Sequence, residues 1–271
     1  SMKNVFATEI NGHIADMLCE SKWMTGSDIN KSTIIGSFIC KKNHCTNEIS
    51  KEDIYRQLSL IDMFYSTNVY RMRRFGLEEI TDEIYDLCKG ADGKYSLGVL
   101  SGKLNATRPL HPDVKRLFTL LFGYIDGVKN SKAPSLLSKY FYFVSLVCPV
   151  DGWGFPIYDS IVCGMLPRLQ KRLGIKPLTP SRNISQSNVN FDIDVYIDGL
   201  KRVIDVLEAN NPTLWNTSGK LKYDLLDYFL WHIGKAGKGS YESLMTKAEY
   251  EDYLATKQIP KRIKKWVGIK I

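Results

Sequence analysis

The sequence predicts an all-α fold, with two helical lobes around a cleft. Apolar residues recur every three or four positions along most of the chain, which is the helical period. Only one run, Ser32 to Lys41 with Thr33, Ile34, Ile35, Phe38 and Ile39, resembles a strand, and it suits a helix equally well. Glycine, proline and polar clusters punctuate segments of helical length. Residues 1–271 are expected to form a single globular unit whose lobes are 1–105 with 195–271, and 106–194, with 257–271 as a basic tail.

Each element has a local reason. Ser50 is an N-cap with Asp53 three residues on, and Ile54, Leu58 and Ile61 follow at helical spacing up to Tyr65. Leu77 to Cys88 repeats the pattern through Ile80, Ile84 and Leu87. Gly90, Gly93, Gly98 and Gly102 mark 89–105 as a loop or short-helix connector. Pro112-Asp113 opens a helix with an inner face of Val114, Leu117, Phe118, Leu121 and Ile125, expected to end at Gly127. Pro134-Ser135 starts the most apolar helix, which runs to Val147, and 148–156 must be a loop. A helix from Ser160 to Leu173 is expected to kink or stop early at Pro167. Residues 174–190 read as a surface connector. Further helices are expected over Val195–Ala209, over Leu221–Ile233 with Gly234 as the stop, and over Leu244–Leu254.

Composition narrows the function classes. Among 271 residues, 44% are hydrophobic and 24% charged, a globular balance that excludes collagen-like, coiled-coil-only and mostly disordered chains. No apolar run reaches membrane-spanning length, and Ser1-Met2-Lys3-Asn4 lacks a signal-peptide core. Cys19, Cys40, Cys45, Cys88, Cys148 and Cys163 are too sparse for a disulfide scaffold and are expected to be reduced thiols of a cytoplasmic protein. Cys40, His44 and Cys45 are the one tight group, but no second ligand pair follows at zinc spacing. Neither a metal ion nor a cofactor is therefore expected.

Charge is unevenly placed. Lys and Arg total 37 against 29 Asp and Glu, a net +8. Lys257, Lys261, Arg262, Lys264, Lys265 and Lys270 supply most of that excess, with no acid among them. A second acid-free stretch, 160–191, holds Arg168, Lys171, Arg172, Lys176 and Arg182, and Arg71, Arg73 and Arg74 form a third cluster. Basic patches on a near-neutral body suit a polyanion partner, because each phosphate contact releases a counterion. The alternative is an ordinary solvated surface.

Standard catalytic motifs are missing. There is no phosphate-binding G-x-x-x-x-G-K-[ST], no G-x-S-x-G and no H-E-x-x-H. The run Gly234-Lys235-Ala236-Gly237-Lys238-Gly239-Ser240 follows a helix and reads as a C-cap and turn. His13, His44, His111 and His232 are scattered. One stretch does concentrate chemistry. Lys139 falls in the first turns of an aromatic, apolar helix, and Asp159 follows Phe155-Pro156-Ile157-Tyr158 where the next helix should begin. An acid is favoured at a helix start. Asp159 could equally be only an N-cap, and Lys139 could extend its stem to solvent.

Ser138-Lys139 and Phe155-Pro156-Ile157-Tyr158-Asp159-Ser160 together resemble a signature of the helix-hairpin-helix DNA glycosylases, closest to bacterial proteins of the 8-oxoguanine DNA glycosylase fold. The likeness covers about 26 residues, and the helical segment from Tyr223 to Gly234 is similar to that group's closing helix. The resemblance implies a glycosylase, with or without lyase activity, that excises an oxidised purine such as 8-oxoguanine. Lys139 would be the Schiff-base nucleophile and Asp159 its electrostatic partner. Desolvation on an apolar helix would favour the neutral amine that this chemistry requires. A flipped base needs a stacking pocket, for which Phe143, Trp153, Tyr158 and Trp231 are the candidates. The phosphate-gripping hairpin of the family is usually glycine–apolar–glycine. Here Val128 to Pro134 has no glycine pair, leaving Lys129 and Lys132 as phosphate contacts alongside Arg168, Lys171, Arg172, Lys261, Lys264 and Lys265. A glycosylase-fold protein that binds nucleic acid without turnover is the alternative function.

Overall fold

The computed structural model describes residues 2–20, 26–39, 45–65, 76–105, 107, 109–122, 124–125, 128–129, 133–176, 192–236, 239, 241–261 and 263–264. The described chain is overwhelmingly helical, as expected. Its helices are α1 (Met2–Glu20), α2 (Gly26–Ile39), α3 (Lys51–Tyr65), α4 (Leu77–Leu87), α5 (Leu97–Lys103) and α6 (Pro112–Phe122), followed by α7 (Ala133–Val147), α8 (Ser160–Arg172), α9 (Ile193–Asn210), α10 (Pro212–Thr217), α11 (Lys222–Ala236) and α12 (Lys247–Thr256).

Two compact units are present. One comprises Ser1–Asp28, Asp159–Leu178 and Gly199–Ile271, and the other comprises Ile29–Tyr158 and Thr179–Asp198. In the second unit α3, α5 and α6 all pack on α7, which groups 29–105 with 106–158. In that second unit the core is aromatic. Phe118, Phe141 and Phe155 form one cluster, with Phe141 edge-on to both of the others. In the first unit α11 packs on α1 and α8. Buried Asn11 donates to Leu207 O at 2.8 Å and accepts from Trp215 Nε1 at 2.9 Å, joining α1 to α9 and α10.

Local signals explain most boundaries. Ser50 Oγ accepts from Asp53 N at 3.2 Å, and the Asp53 carboxylate accepts from Ser50 N at 3.3 Å. This is a capping box built with aspartate. Thr246 and Glu249 make the same box at α12.

One open reading is resolved and three expectations need correction. The strand-like run lies largely in α2, because Ile34, Ser37 and Phe38 are buried at helical spacing. Helix α6 stops at Phe122, and a short antiparallel pair follows, Tyr124–Ile125 (β1) with Val128–Lys129 (β2). Pro167 lies inside α8, which continues to Arg172. Gly234 lies inside α11, where the packing needs its missing side chain: a Cβ would collide with Ile161 Cγ2 on α8.

The cysteines also differ from expectation. Cys45 and Cys148 form a disulfide across a separation of 103 residues. Sequence spacing conceals the pair, because helix α5 brings its halves together. Cys45 O occupies the space that a Cβ on Gly98 would need, and Ser101 donates to Cys148 O at 2.5 Å. Cys19, Cys88 and Cys163 are not disulfide-bonded, and Cys40 lies outside the described residues. The expectation of six reduced thiols is therefore wrong, and with it goes the support it lent to a cytoplasmic location. Among the described residues no helix is long and apolar enough to cross a membrane, and no group of His, Cys, Asp and Glu could hold a metal ion.

Candidate functional site

Lys139 sits in the second turn of α7, the most apolar helix of the second unit. It is only 7% exposed. Its ammonium does not reach solvent along an extended stem. Nζ donates to Ser135 Oγ at 2.5 Å, one turn earlier, and lies 5.4 Å from the centre of the Tyr65 ring on α3. Burial disfavours a charged amine, whereas a hydroxyl acceptor and an aromatic face stabilise it. Ser135 and Tyr65 are the residues around this amine that sequence spacing did not single out. Ser135, at i−4 on a helix, was the detectable one.

The neighbouring side chains of α7 are equally committed. Tyr140 is buried and donates to Gln57 Oε1 at 2.8 Å, and Gln57 in turn donates to Ser37 O at 3.3 Å. Burial pushes the Tyr140 hydroxyl well above its ordinary pKa, so it remains a donor. Phe143 packs at 6.0 Å from Phe38 and 6.3 Å from Tyr65.

Asp159 is the N-cap of α8, and its Oδ1 accepts from Ile161 N at 2.6 Å. The structural role expected of an acid at that position is thus filled, and one carboxylate oxygen is engaged in it. Asp159 begins the α8 segment of the first unit, whereas Lys139 belongs to the second.

The four candidate base-pocket residues are divided between the units. Phe143, Trp153 and Tyr158 belong to the second, Trp231 to the first. Phe143 and Tyr158 are buried, the latter against Tyr196 at 5.2 Å, edge to face. Trp153 is half-buried in the loop whose turn Asp151 holds, accepting from Trp153 N at 2.8 Å. Trp231 is 37% exposed, with Lys235 Nζ 5.3 Å from the centre of its ring.

Of the candidate phosphate contacts, Arg168, Lys171 and Arg172 share one face of α8 at i, i+3 and i+4. Arg168 and Lys171 are exposed, while Arg172 lies 5.1 Å from the centre of the Phe6 ring. Lys261 and Lys264 are exposed in the same unit. The Lys129 backbone pairs with Tyr124, while Lys132, Lys265 and the Arg71, Arg73 and Arg74 cluster lie outside the described residues.

His232 on α11 is buried, and its Nδ1 has no hydrogen-bond partner among the described residues. Burial lowers its pKa to about 4, so the ring is neutral across the physiological range. The chain matches no protein-family model, no curated protein and no solved structure.

Proposed function

We propose that the chain is a DNA glycosylase with amine chemistry, excising an oxidised purine such as 8-oxoguanine. One observation carries the reading: a lysine that is buried on an apolar helix and held by a hydroxyl and an aromatic face. A lysine needed only for its stem would be replaced at lower cost by leucine or methionine.

In this reaction the unprotonated Lys139 amine attacks C1′ of the flipped nucleotide. The glycosidic bond breaks, and the base leaves with the electron pair and gains a proton. The C1′–O4′ bond opens as O4′ takes a proton and leaves an iminium, loss of a C2′ proton expels the 3′-phosphate with the C3′–O electron pair, and water hydrolyses the imine to release Lys139. Asp159 would stabilise the cationic sugar. DNA is the partner in this reading, held through phosphates by Arg168, Lys171, Lys261 and Lys264, all of which are exposed.

A second reading is a nucleic-acid-binding protein without turnover. It is favoured by the burial of Phe143 and Tyr158, since each ring already packs on protein neighbours.

Borohydride trapping on duplexes with different purine lesions separates the two. Glycosylase–lyase chemistry gives a covalent adduct with the native chain and none with Lys139→Gln. Salt-sensitive duplex binding without any adduct or base release would establish the second reading instead.

A further inference from the structure

Two serines on α7 are spent on the chain that returns after the helix. Ser138 Oγ donates to Ser135 O at 3.1 Å and accepts from Tyr158 N at 2.8 Å. Ser145 repeats the arrangement, donating to Tyr142 O at 2.8 Å and accepting from Phe155 N at 2.9 Å. Both serines are buried.

The spacings match for a physical reason. Seven helical residues rise about 10.5 Å and bring both hydroxyls to one face of the helix. Three extended residues span about 10 Å. Amides three apart on an extended segment therefore meet hydroxyls seven apart on a helix, provided that the segment runs antiparallel to it. The pairing 138 with 158 and 145 with 155 has that direction. Between the clamped amides, Pro156 has no N–H to satisfy, and Ile157 O accepts from Tyr196 Oη at 2.7 Å.

We propose that Ser138 and Ser145 form a two-hydroxyl clamp that sets the register of residues 155–158 on the Lys139 helix, which makes Ser138 a positioning residue of the site. Ser138 directly precedes Lys139, and the amide it holds directly precedes Asp159. Each half of the Ser-Lys and Phe-Pro-Ile-Tyr-Asp-Ser signature is thereby tied to the other by a buried hydrogen bond. A shift of one residue in this register would take the Tyr158 amide off Ser138 and leave a buried hydroxyl and a buried amide without these partners. The functional half of this inference rests on Lys139 being the reacting amine.

The test uses the full chain and two readouts. Hydrogen exchange at the Tyr158 and Phe155 amides reads the clamp. The rate of borohydride-trapped adduct formation with a duplex containing an abasic site reads the amine. Ser138→Ala should lose protection at Tyr158 while keeping it at Phe155, and trapping should slow by roughly tenfold to a hundredfold, the scale of a misplacement near 1 Å. Ser145→Ala should do the reverse at the amides and slow trapping less. Ser138→Thr, which restores a hydroxyl, should recover both protection and rate. Unchanged Tyr158 exchange in a folded Ser138→Ala chain overturns the clamp. Lost protection with an unchanged trapping rate overturns the positioning role. Absence of trapping by the native chain sinks the glycosylase reading and the positioning role together, while exchange at Tyr158 still decides the clamp.

Discussion

Helices α7 and α11 have the same length and are both largely buried, yet buried Lys139 on the first and buried His232 on the second are accommodated differently. On α7, Ser138, Lys139, Tyr140 and Ser145 all have named partners, two of them on the returning segment 155–158. On α11, the His232 Nδ1 has none among the described residues, and burial alone holds the ring neutral. A satisfied buried polar group can specify register and orientation, whereas one held only by burial is a liability that a proton can exploit. The candidate chemistry lies on the helix of the first kind.

The largest expected effect concerns the anchor at the end of α7. Reducing Cys45–Cys148, or replacing both with Ser, releases a loop closed over 103 residues. The chain-entropy argument puts the loss at about 4.7 kcal/mol for such a loop. Denaturant unfolding with and without a dithiol measures it. Exchange should accelerate mainly in 29–158. An unchanged midpoint would show that α5 holds these residues without the bond.

Next comes His232. Its folded pKa, about 4, lies below the ordinary value of 6.5. The unfolded chain therefore takes up the proton first, and stability falls as the pH drops from about 6.5 through 4. A shift of this size corresponds to roughly 3 kcal/mol at full development. Stability should be flat in this group above pH 7. His232→Leu should flatten the acid limb of the unfolding curve, and α11 amides should be the first to exchange as the native chain is acidified. An acid limb unaltered in the variant would mean that the ring finds a proton acceptor as it charges.

The smallest effect tests whether α7 is as well satisfied as its hydrogen bonds imply. Tyr140→Phe removes the donor to Gln57 and leaves a buried acceptor behind, at a cost of about 1–2 kcal/mol in urea unfolding. The Tyr140→Phe, Gln57→Leu double variant should recover part of that loss. If Tyr140→Phe alone is neutral, the comparison between the two helices weakens.

Much of the fold is legible in the amino-acid sequence. Helices α3, α4, α6, α7, α8 and α9 follow from apolar spacing together with Ser50, Pro112 and Asp159 at their starts. Periodicity and caps act between residues a few positions apart, so a sequence records them directly. Lys139 stands out for the same reason, as a charge inside an apolar helix. Other features depend on residues far apart in the chain. The Thr33-Ile34-Ile35 run has strand-like composition, and packing in the core makes it helical. Gly234 reads as a helix stop, until Ile161 on α8 requires the space of its side chain. Cys45 and Cys148 look idle until α5 joins them. The clamp is intermediate, since its serines and amides are within twenty residues of each other, but their match depends on an antiparallel return that composition does not encode. The sequence by itself determined the helical class, most helix limits and the placing of a lysine inside the most apolar helix of its unit. The tertiary structure alone decided the disulfide, the helix-to-helix contact at Gly234 and the register of 155–158, because close approach between distant segments is set by the packed core.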